Sequence, residues 1–187
     1  NSSAIDLKNI KIVENDKWED TGNAYSLYKA KESINGTVII SYGDLVYENS
    51  ILNSLIETPG DIVILADTSD NYRNRDFNYF VKGSIDPSDD YGSADWCRLD
   101  DIKLGSREDS TAQWIGLMKL SPKGSEIVKN SFNTFFKEAT KSGMLGEFLN
   151  YLINQDLEIR VRYSRGKWLD LDNEEDLASF SKREFNL

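Results

Sequence analysis

Two apolar runs rich in β-branched residues, at 37–42 and 61–66, dominate the first half of the chain, and a helical segment lies between them. A run of strand length with no polar alternation reads as a strand buried on both faces, the situation of a parallel sheet covered by helices. Residues 48–56 carry a helical pattern that Pro59-Gly60 ends. Strand, helix and strand joined by short links make a βαβ unit. An earlier helix is expected over 23–33, where Ala24, Leu27, Tyr28 and Lys31 recur at helical spacing and Asn35-Gly36 stops it. Ile10-Lys11-Ile12-Val13 reads as a short strand ahead of a turn-rich stretch.

The tract 67–110 is rich in Asp, Ser, Arg and Gly, with shorter apolar patches at 77–81 and 102–104. It predicts two short strands with loops, a lid or edge hairpin, and a loop at 86–91. Regular structure resumes with a strand at 113–120 and a helix running from Ser121-Pro122 to about residue 141, with Pro122 in the first turn, where its missing N–H costs nothing. A helix at 145–154, strands at 158–163 and 167–171, and a last helix capped by Asn173 with Asp176 three residues on complete the order. No repeat, low-complexity tract or linker interrupts it, so the expectation is one domain over 1–187.

Composition narrows the chemistry. The formal net charge of −10 argues against a nucleic-acid backbone or an anionic membrane as partner, since both call for a basic patch. Histidine is absent, which removes Ser-His-Asp and Cys-His chemistry, imidazole metal sites and the commonest general base. Any catalysis must rest on carboxylates, lysines, arginines, backbone amides or a metal ion. A single cysteine, Cys97, forbids an internal disulfide and suits a reducing, cytoplasmic setting. The longest apolar runs are far too short to span a bilayer.

Three constellations can carry chemistry. Ile39-Ile40-Ser41-Tyr42-Gly43-Asp44 ends a buried strand in Gly-Asp, which places Asp44 at the carboxyl edge of the sheet, where open α/β sheets bind ligands. Its carboxylate suits a hard cation, although a plain turn would show the same dipeptide. In Gly166-Lys167-Trp168-Leu169-Asp170-Leu171-Asp172 the strand period of two puts Trp168, Asp170 and Asp172 on one face. Like charges on one face repel unless a cation or donors lie between them, and Mg²⁺ is the natural candidate; the exposed face of an acidic protein is the other reading. The loop from Asp16 into Asn23-Ala24-Tyr25-Ser26-Leu27 offers helix N-terminal amides to an anion, or simply turn and capping residues.

In this order the pieces resemble the nucleotidyltransferase superfamily that makes activated sugars, choline and phosphonates. Asn15, Trp18, Thr21, Asn23, Ser26 and Leu27 match its Asn-x-x-(Tyr/Trp)-x-x-Thr-x-Asn-x-x-Ser-Leu stretch, and Gly43-Asp44 its Gly-Asp strand end. Trp114-Ile115-Gly116-Leu117 through Ser121 matches its Gly-Ile/Leu strand, and Trp168 through Leu177 its closing Trp-x-Glu-Ile-Asp-x-x-Glu-Asp-Leu block. The segment Trp114-Ile115-Gly116-Leu117 after a long insert looks most like cytidylyltransferase domains joined to phosphoenolpyruvate mutase. The family opens with a Gly-x-Gly-x-Arg loop around the triphosphate, and this sequence shows no such loop. The resemblance thus implies an α/β, Rossmann-like mixed, mainly parallel sheet flanked by helices and lacking its first βα unit. It further implies a missing N-terminal segment or other domain of a longer parent protein.

The same resemblance implies the reaction: transfer of a nucleotidyl group, with CTP the favoured NTP, to a small phosphate- or phosphonate-bearing acceptor, with release of pyrophosphate. Asp44 and Asp172 would be the catalytic carboxylates. Asp44, Asp170 and Asp172 would hold Mg²⁺, with Asp170 standing where the family has the longer Glu. Asn23, Tyr25, Gly116, Glu147 and Trp168 are the substrate-binding candidates, and Lys17, Lys82, Arg98 and Lys103 are candidate phosphate contacts. A non-catalytic nucleotide- or metabolite-binding module of a larger protein is the alternative. A Ca²⁺-binding domain is disfavoured, because no EF-hand-like Asp-x-Asp-x-Asp-Gly loop is present.

Overall fold

The computed structural model describes residues 9–69, 79–85, 87, 96–105, 109–138 and 143–180. Along them run α1 (Asn23–Lys29), β1 (Val38–Ser41), β2 (Leu45–Tyr47), α2 (Asn49–Glu57), β3 (Ile62–Asp67), β4 (Tyr79–Gly83), β5 (Trp96–Leu104), β6 (Ala112–Leu120), α3 (Pro122–Glu138), α4 (Leu145–Asn154), β7 (Arg160–Ser164), β8 (Trp168–Asp170) and α5 (Glu174–Phe180). A short 3₁₀ turn, Lys31–Ser33, follows α1, so the helix expected to continue to residue 33 tightens after Lys29. The loop expected at 86–91 lies outside the described residues except for Pro87, as do the first two residues of the strand expected at 77–81.

Six strands form one sheet in the order β1-β6-β3-β7-β5-β4, and β2 pairs with β8 in a separate ribbon. The sheet is mixed, not mainly parallel. Among the described strands only β3 and β7 pair in parallel; β6 is antiparallel to β1, to β3 and to β4, and β5 to both β4 and β7. The physical reason is that β6 inserts between the two strands of the expected βαβ unit. β1 and β3 still run in the same direction, but each hydrogen-bonds to the reversed β6 instead of to the other. An apolar run records that a strand is buried and is silent about which neighbour it meets.

All nine residues of β6 and all six of β3 are buried, including the polar Gln113 and Lys119 of β6 and Asp67 at the end of β3. β1 is only half-buried, because β6 is its one partner among the described strands and its other edge is open. The strand expected at 10–13 does not form: Ile10, Ile12 and Val13 carry no regular structure and stand exposed. A β-branched segment gains nothing from extended backbone without a partner to bond to. Two strands exceed expectation. β2 was hidden in the short Leu45-Val46-Tyr47 run, and β5 continues through the charged pair Asp100-Asp101, both half-buried, where the register against β4 shifts by one residue between Asp101 and Leu99.

The core has two parts, one on each face of the sheet. On one side α1, α3 and α4 bury Phe132, Phe148, Leu149 and Leu152 against Ile64, Met118 and Val161. Phe132 stacks on Phe148 at 4.4 Å between centroids, and Phe135 meets Phe148 edge-on at 5.2 Å. On the other side α2 lays Ile51 and Leu55 over Val63, Leu65, Ile115 and Leu117. Lys119, buried within β6, donates to the carbonyls of Ile56 and Thr58 and so satisfies the end of α2; burial holds its pKa below the ordinary lysine value. No described helix is long and apolar enough to cross a membrane.

Helix α3 is fixed at its start by its first residues. Ser121 Oγ accepts from Gly124 N (3.0 Å) and donates to Asp61 Oδ1 (2.7 Å), while Pro122 takes the first helical position. Bonds from Lys123 and Ser121 hold the Asp61 carboxyl below its ordinary value of 3.8. Ser121→Ala should therefore lower stability by about 1 kcal/mol in urea unfolding at pH 7. The Asp61 contribution is small because the side chain is partly exposed. It is present above the unfolded value and disappears as pH falls through the lowered folded value, so the variant and the parent should differ less at pH 3 than at pH 7.

Candidate functional site

At the carboxyl end of β1 lies an open cleft of about 620 Å³. β1 delivers Tyr42, Gly43 and Asp44 to it, and the β2–β8 ribbon delivers Trp168, Asp170 and Asp172. The ribbon is registered so that Leu45 faces Asp170, and the Asp44 carbonyl accepts from Leu171 N at 2.9 Å. Two segments more than a hundred residues apart in sequence are thereby locked side by side. One carboxylate oxygen from each of Asp44, Asp170 and Asp172 lies within 4.8 Å of the others. Oxygens bound to one Mg²⁺ at 2.0–2.1 Å are separated by at most about 4.2 Å, so a small side-chain adjustment brings this all-oxygen set onto a hard divalent cation. Asp44 and Asp172 are exposed and Asp170 half-buried, which leaves ligand positions open on the solvent side.

The opposite wall is aromatic. Tyr42, Tyr79 and Trp114 all line the cleft, with Trp114 5.6 Å from Tyr42 and 6.0 Å from Tyr79 between ring centroids. Asn23 clamps this wall: its Nδ2 donates to Tyr42 Oη (2.9 Å) and its Oδ1 accepts from Leu145 N (2.7 Å), one of the amides at the start of α4. Burial raises the Tyr42 phenol above its ordinary value, and burial together with the Glu147 charge raises Tyr79 to about 12. Both phenols are therefore neutral near pH 7 and act as hydrogen-bonding, apolar wall.

Of the residues singled out from sequence, Asn23, Asp44, Trp168, Asp170 and Asp172 line the cleft, whereas Tyr25, Gly116 and Glu147 do not. Tyr25 packs against Tyr28 and Phe136. Glu147 Oε2 accepts from Met144 N at 3.3 Å and closes the first turn of α4. Gly116 has φ +84°, and the space where a Cβ would stand is taken by the Tyr42 ring at 2.6 Å. It belongs to a bulge, since β3 pairs Leu65 with Leu117 but the next residue, Ala66, with Trp114; Trp114 Nε1 donates to Leu117 O across the extra residues at 3.0 Å. Several polar groups ahead of α1 bond locally: Asn15 donates to Thr21 and to Ser26 of α1, Thr21 donates to Lys17 O, and Asp16 pairs with Lys29 of α1.

None of Lys17, Lys82, Arg98 and Lys103 lines the cleft; Arg98 pairs with Asp100 and Lys103 with Asp101. Sequence reasoning also missed Tyr42, Tyr79, Gln113 and Trp114 as cleft walls. Tyr42 could have been found, since it directly precedes Gly43-Asp44 at a strand end. Nothing in sequence links Tyr79 to that position.

The sequence matches no protein-family model and no curated protein. Solved structures do match in shape. The inositol-1-phosphate CTP transferase of T. maritima superposes with TM-score 0.68 at 19% identity, over 90% of this chain and 62% of that one. A putative glucose-1-phosphate thymidylyltransferase from Bacillus anthracis gives 0.60 at 14%, over 90% and 64%. The CTP:phosphocholine cytidylyltransferase of Streptococcus pneumoniae gives 0.54 at 21%, over 90% and 66%. The chain thus has the fold seen in these nucleotidyltransferases and spans about two thirds of their length or slightly less.

The geometry at Gly116 makes a direct prediction. Gly116→Ala places a methyl group in the Tyr42 ring on a backbone that disfavours L residues, so it should destabilise the chain by about 1–3 kcal/mol in thermal or urea unfolding. Tyr42 must then leave its position, and its bond to Asn23 should be lost, visible as a changed Asn23 side-chain amide signal in NMR spectra.

Proposed function

We propose that this chain carries the metal- and acceptor-binding part of a nucleotidyltransferase. The reaction moves a nucleotidyl group, CMP from CTP by preference, onto a small acceptor bearing a phosphate or phosphonate, and releases pyrophosphate. The supporting observation is the convergence of Asp44, Asp170 and Asp172 beside an aromatic-walled cleft, at the carboxyl end of β1 in a fold shared with solved nucleotidyltransferases. The preference for CTP rests on the resemblance to cytidylyltransferases, and two of the similar structures are named for CTP chemistry.

The chemistry asks little of the protein beyond placement. An oxygen of the acceptor's phosphate attacks the α-phosphorus in line, the bond to the leaving pyrophosphate breaks, and no proton need be removed from an oxygen that is already anionic near pH 7. A chain without histidine is adequate for that. Mg²⁺ held by Asp44, Asp170 and Asp172 would supply charge neutralisation for the crowded phosphates. The protein's own part is positional. Asp44 enters from the sheet and Asp170 and Asp172 from the ribbon, Trp168 forms the floor beside them, and Asn23 holds Tyr42 in the wall. Tyr25, Glu147 and Gly116 would act behind this wall, through packing, the α4 turn and the Tyr42 seat.

A further strand-bearing segment would complete the sheet and bring cationic groups to the triphosphate. The edge of β1 that no described strand pairs with and the exposed apolar side chains of Ile10, Ile12 and Trp18 support this reading. The second reading, a non-catalytic nucleotide-binding module, is favoured by one feature: among the described residues, no lysine or arginine lines the cleft.

Calorimetric titration with each of the four NTPs, with and without Mg²⁺, tests the proposal. CTP should bind only with the metal, and Asp172→Ala or Asp44→Ala should weaken that binding on the order of 100-fold while leaving the fold intact. The chain alone should release no pyrophosphate from CTP. Metal-independent binding, or equal affinity in Asp172→Ala, would remove the carboxylate cluster from the function.

A further inference from the structure

The ribbon that carries Asp170 and Asp172 is not part of the six-stranded sheet, so something must set its position against Asp44, which enters from β1. We propose that Asp67 is a positioning residue that does this by holding the Trp168 indole. The inference deepens the metal-site reading above and rests on it. Asp67 is the last residue of β3 and only 3% exposed. Its Oδ2 accepts from Trp168 Nε1 at 2.8 Å and from Ser69 Oγ at 2.7 Å, and its Oδ1 accepts from Ser69 N at 2.9 Å. Asp67 does not line the cleft, whereas Trp168 does. A buried carboxylate is expensive unless fully hydrogen-bonded, and here three donors converge on it.

The bond has directional consequences. The indole offers a single N–H lying in the plane of its ring, so a fixed acceptor fixes the ring's orientation as well as its distance. Trp168 begins β8, and Asp170 ends it two residues later, about 6.6 Å along the strand. The ring packs with Leu45 and Tyr47 of the facing strand against the apolar cluster under α2. Holding the ring therefore holds both strands of the ribbon on the end of β3. Asp67 thereby acts on the metal ligands as an outer-shell partner acts on a ligating side chain, by orienting what carries them.

Two conservative variants test this without removing the ring from the core. Trp168→Phe keeps an aromatic ring and every charge, and deletes the N–H donor together with the pyrrole part of the indole; Asp67→Asn keeps the shape of the acceptor. Mn²⁺ alone serves as the probe, titrated into the parent, each variant and the double variant. Each single change should weaken Mn²⁺ binding about tenfold or more, and the double variant should be no weaker than the weaker single, because both delete one interaction. The backbone amide signals of Asp170 and Asp172 should shift in both single variants, and in Asp67→Asn the indole N–H signal that Trp168→Phe removes should move as well. Mn²⁺ affinity within twofold of the parent in Trp168→Phe, or losses that add in the double variant, overturns the proposal. If the parent itself binds no Mn²⁺, the metal-site reading fails separately. Positioning is then judged on the Asp170 and Asp172 amide signals alone, and unmoved signals overturn it.

Discussion

A strand buried on both faces and hydrogen-bonded along both edges has no freedom to slip, and β6 meets both conditions, with β1 on one side and β3 on the other. The antiparallel insertion of β6 keeps β1 and β3 pointing the same way, so that their carboxyl ends, Tyr42 to Asp44 and Asp67, emerge on one edge of the sheet. The same strand bulges at Ile115 and Gly116, and the left-handed Gly116 lets the Tyr42 ring settle directly on the backbone. The aromatic wall of the cleft follows from where this strand runs. A side chain at Gly116 would disturb Tyr42, and with it the Asn23 clamp that ties α1 to the start of α4.

The acidic side obeys a different constraint. Three carboxylates with oxygens within 4.8 Å of one another repel unless a cation or donors intervene, and burying the cluster completely would make the repulsion worse. The fold leaves Asp44 and Asp172 exposed and fixes the backbone beneath them instead, through the Asp44–Leu171 bond and the ribbon register. Rigid backbone under solvated carboxylates would suit the Mg²⁺ proposed above, since that ion gives up few of its waters and takes few protein oxygens. Asn173 and Asp176 extend the same rigidity beyond Asp172. Asn173 Oδ1 accepts from two amides of α5, and Asp172 N donates to Asp176 Oδ2 at 3.2 Å.

The two halves of the cleft are chemically unlike. Tyr42, Tyr79 and Trp114 present aromatic rings, with the Tyr42 and Tyr79 phenols held neutral by burial, while Asp44, Asp170 and Asp172 line the same cleft with carboxylates.

Local chemistry alone determined much of the molecule. The apolar run at 61–66 and the strand expected at 113–120 became β3 and β6, Pro122 and Ser121 started α3, and Asn173 capped α5, because strand pattern and capping are written in neighbouring residues of the chain. Asp44 was legible as a candidate from the Gly-Asp that ends its strand, and Asp170 and Asp172 from the strand period that puts them on one face with Trp168. Tertiary structure alone decided the rest. The mixed sheet, the unformed strand at 10–13, the seat of Tyr42 on Gly116 and the reach of Trp168 to Asp67 all depend on which distant segment lies alongside. A strand's sequence records how buried it is on its faces and carries almost nothing about its edges, because the hydrogen bonds that choose a neighbour are made by backbone groups common to every residue.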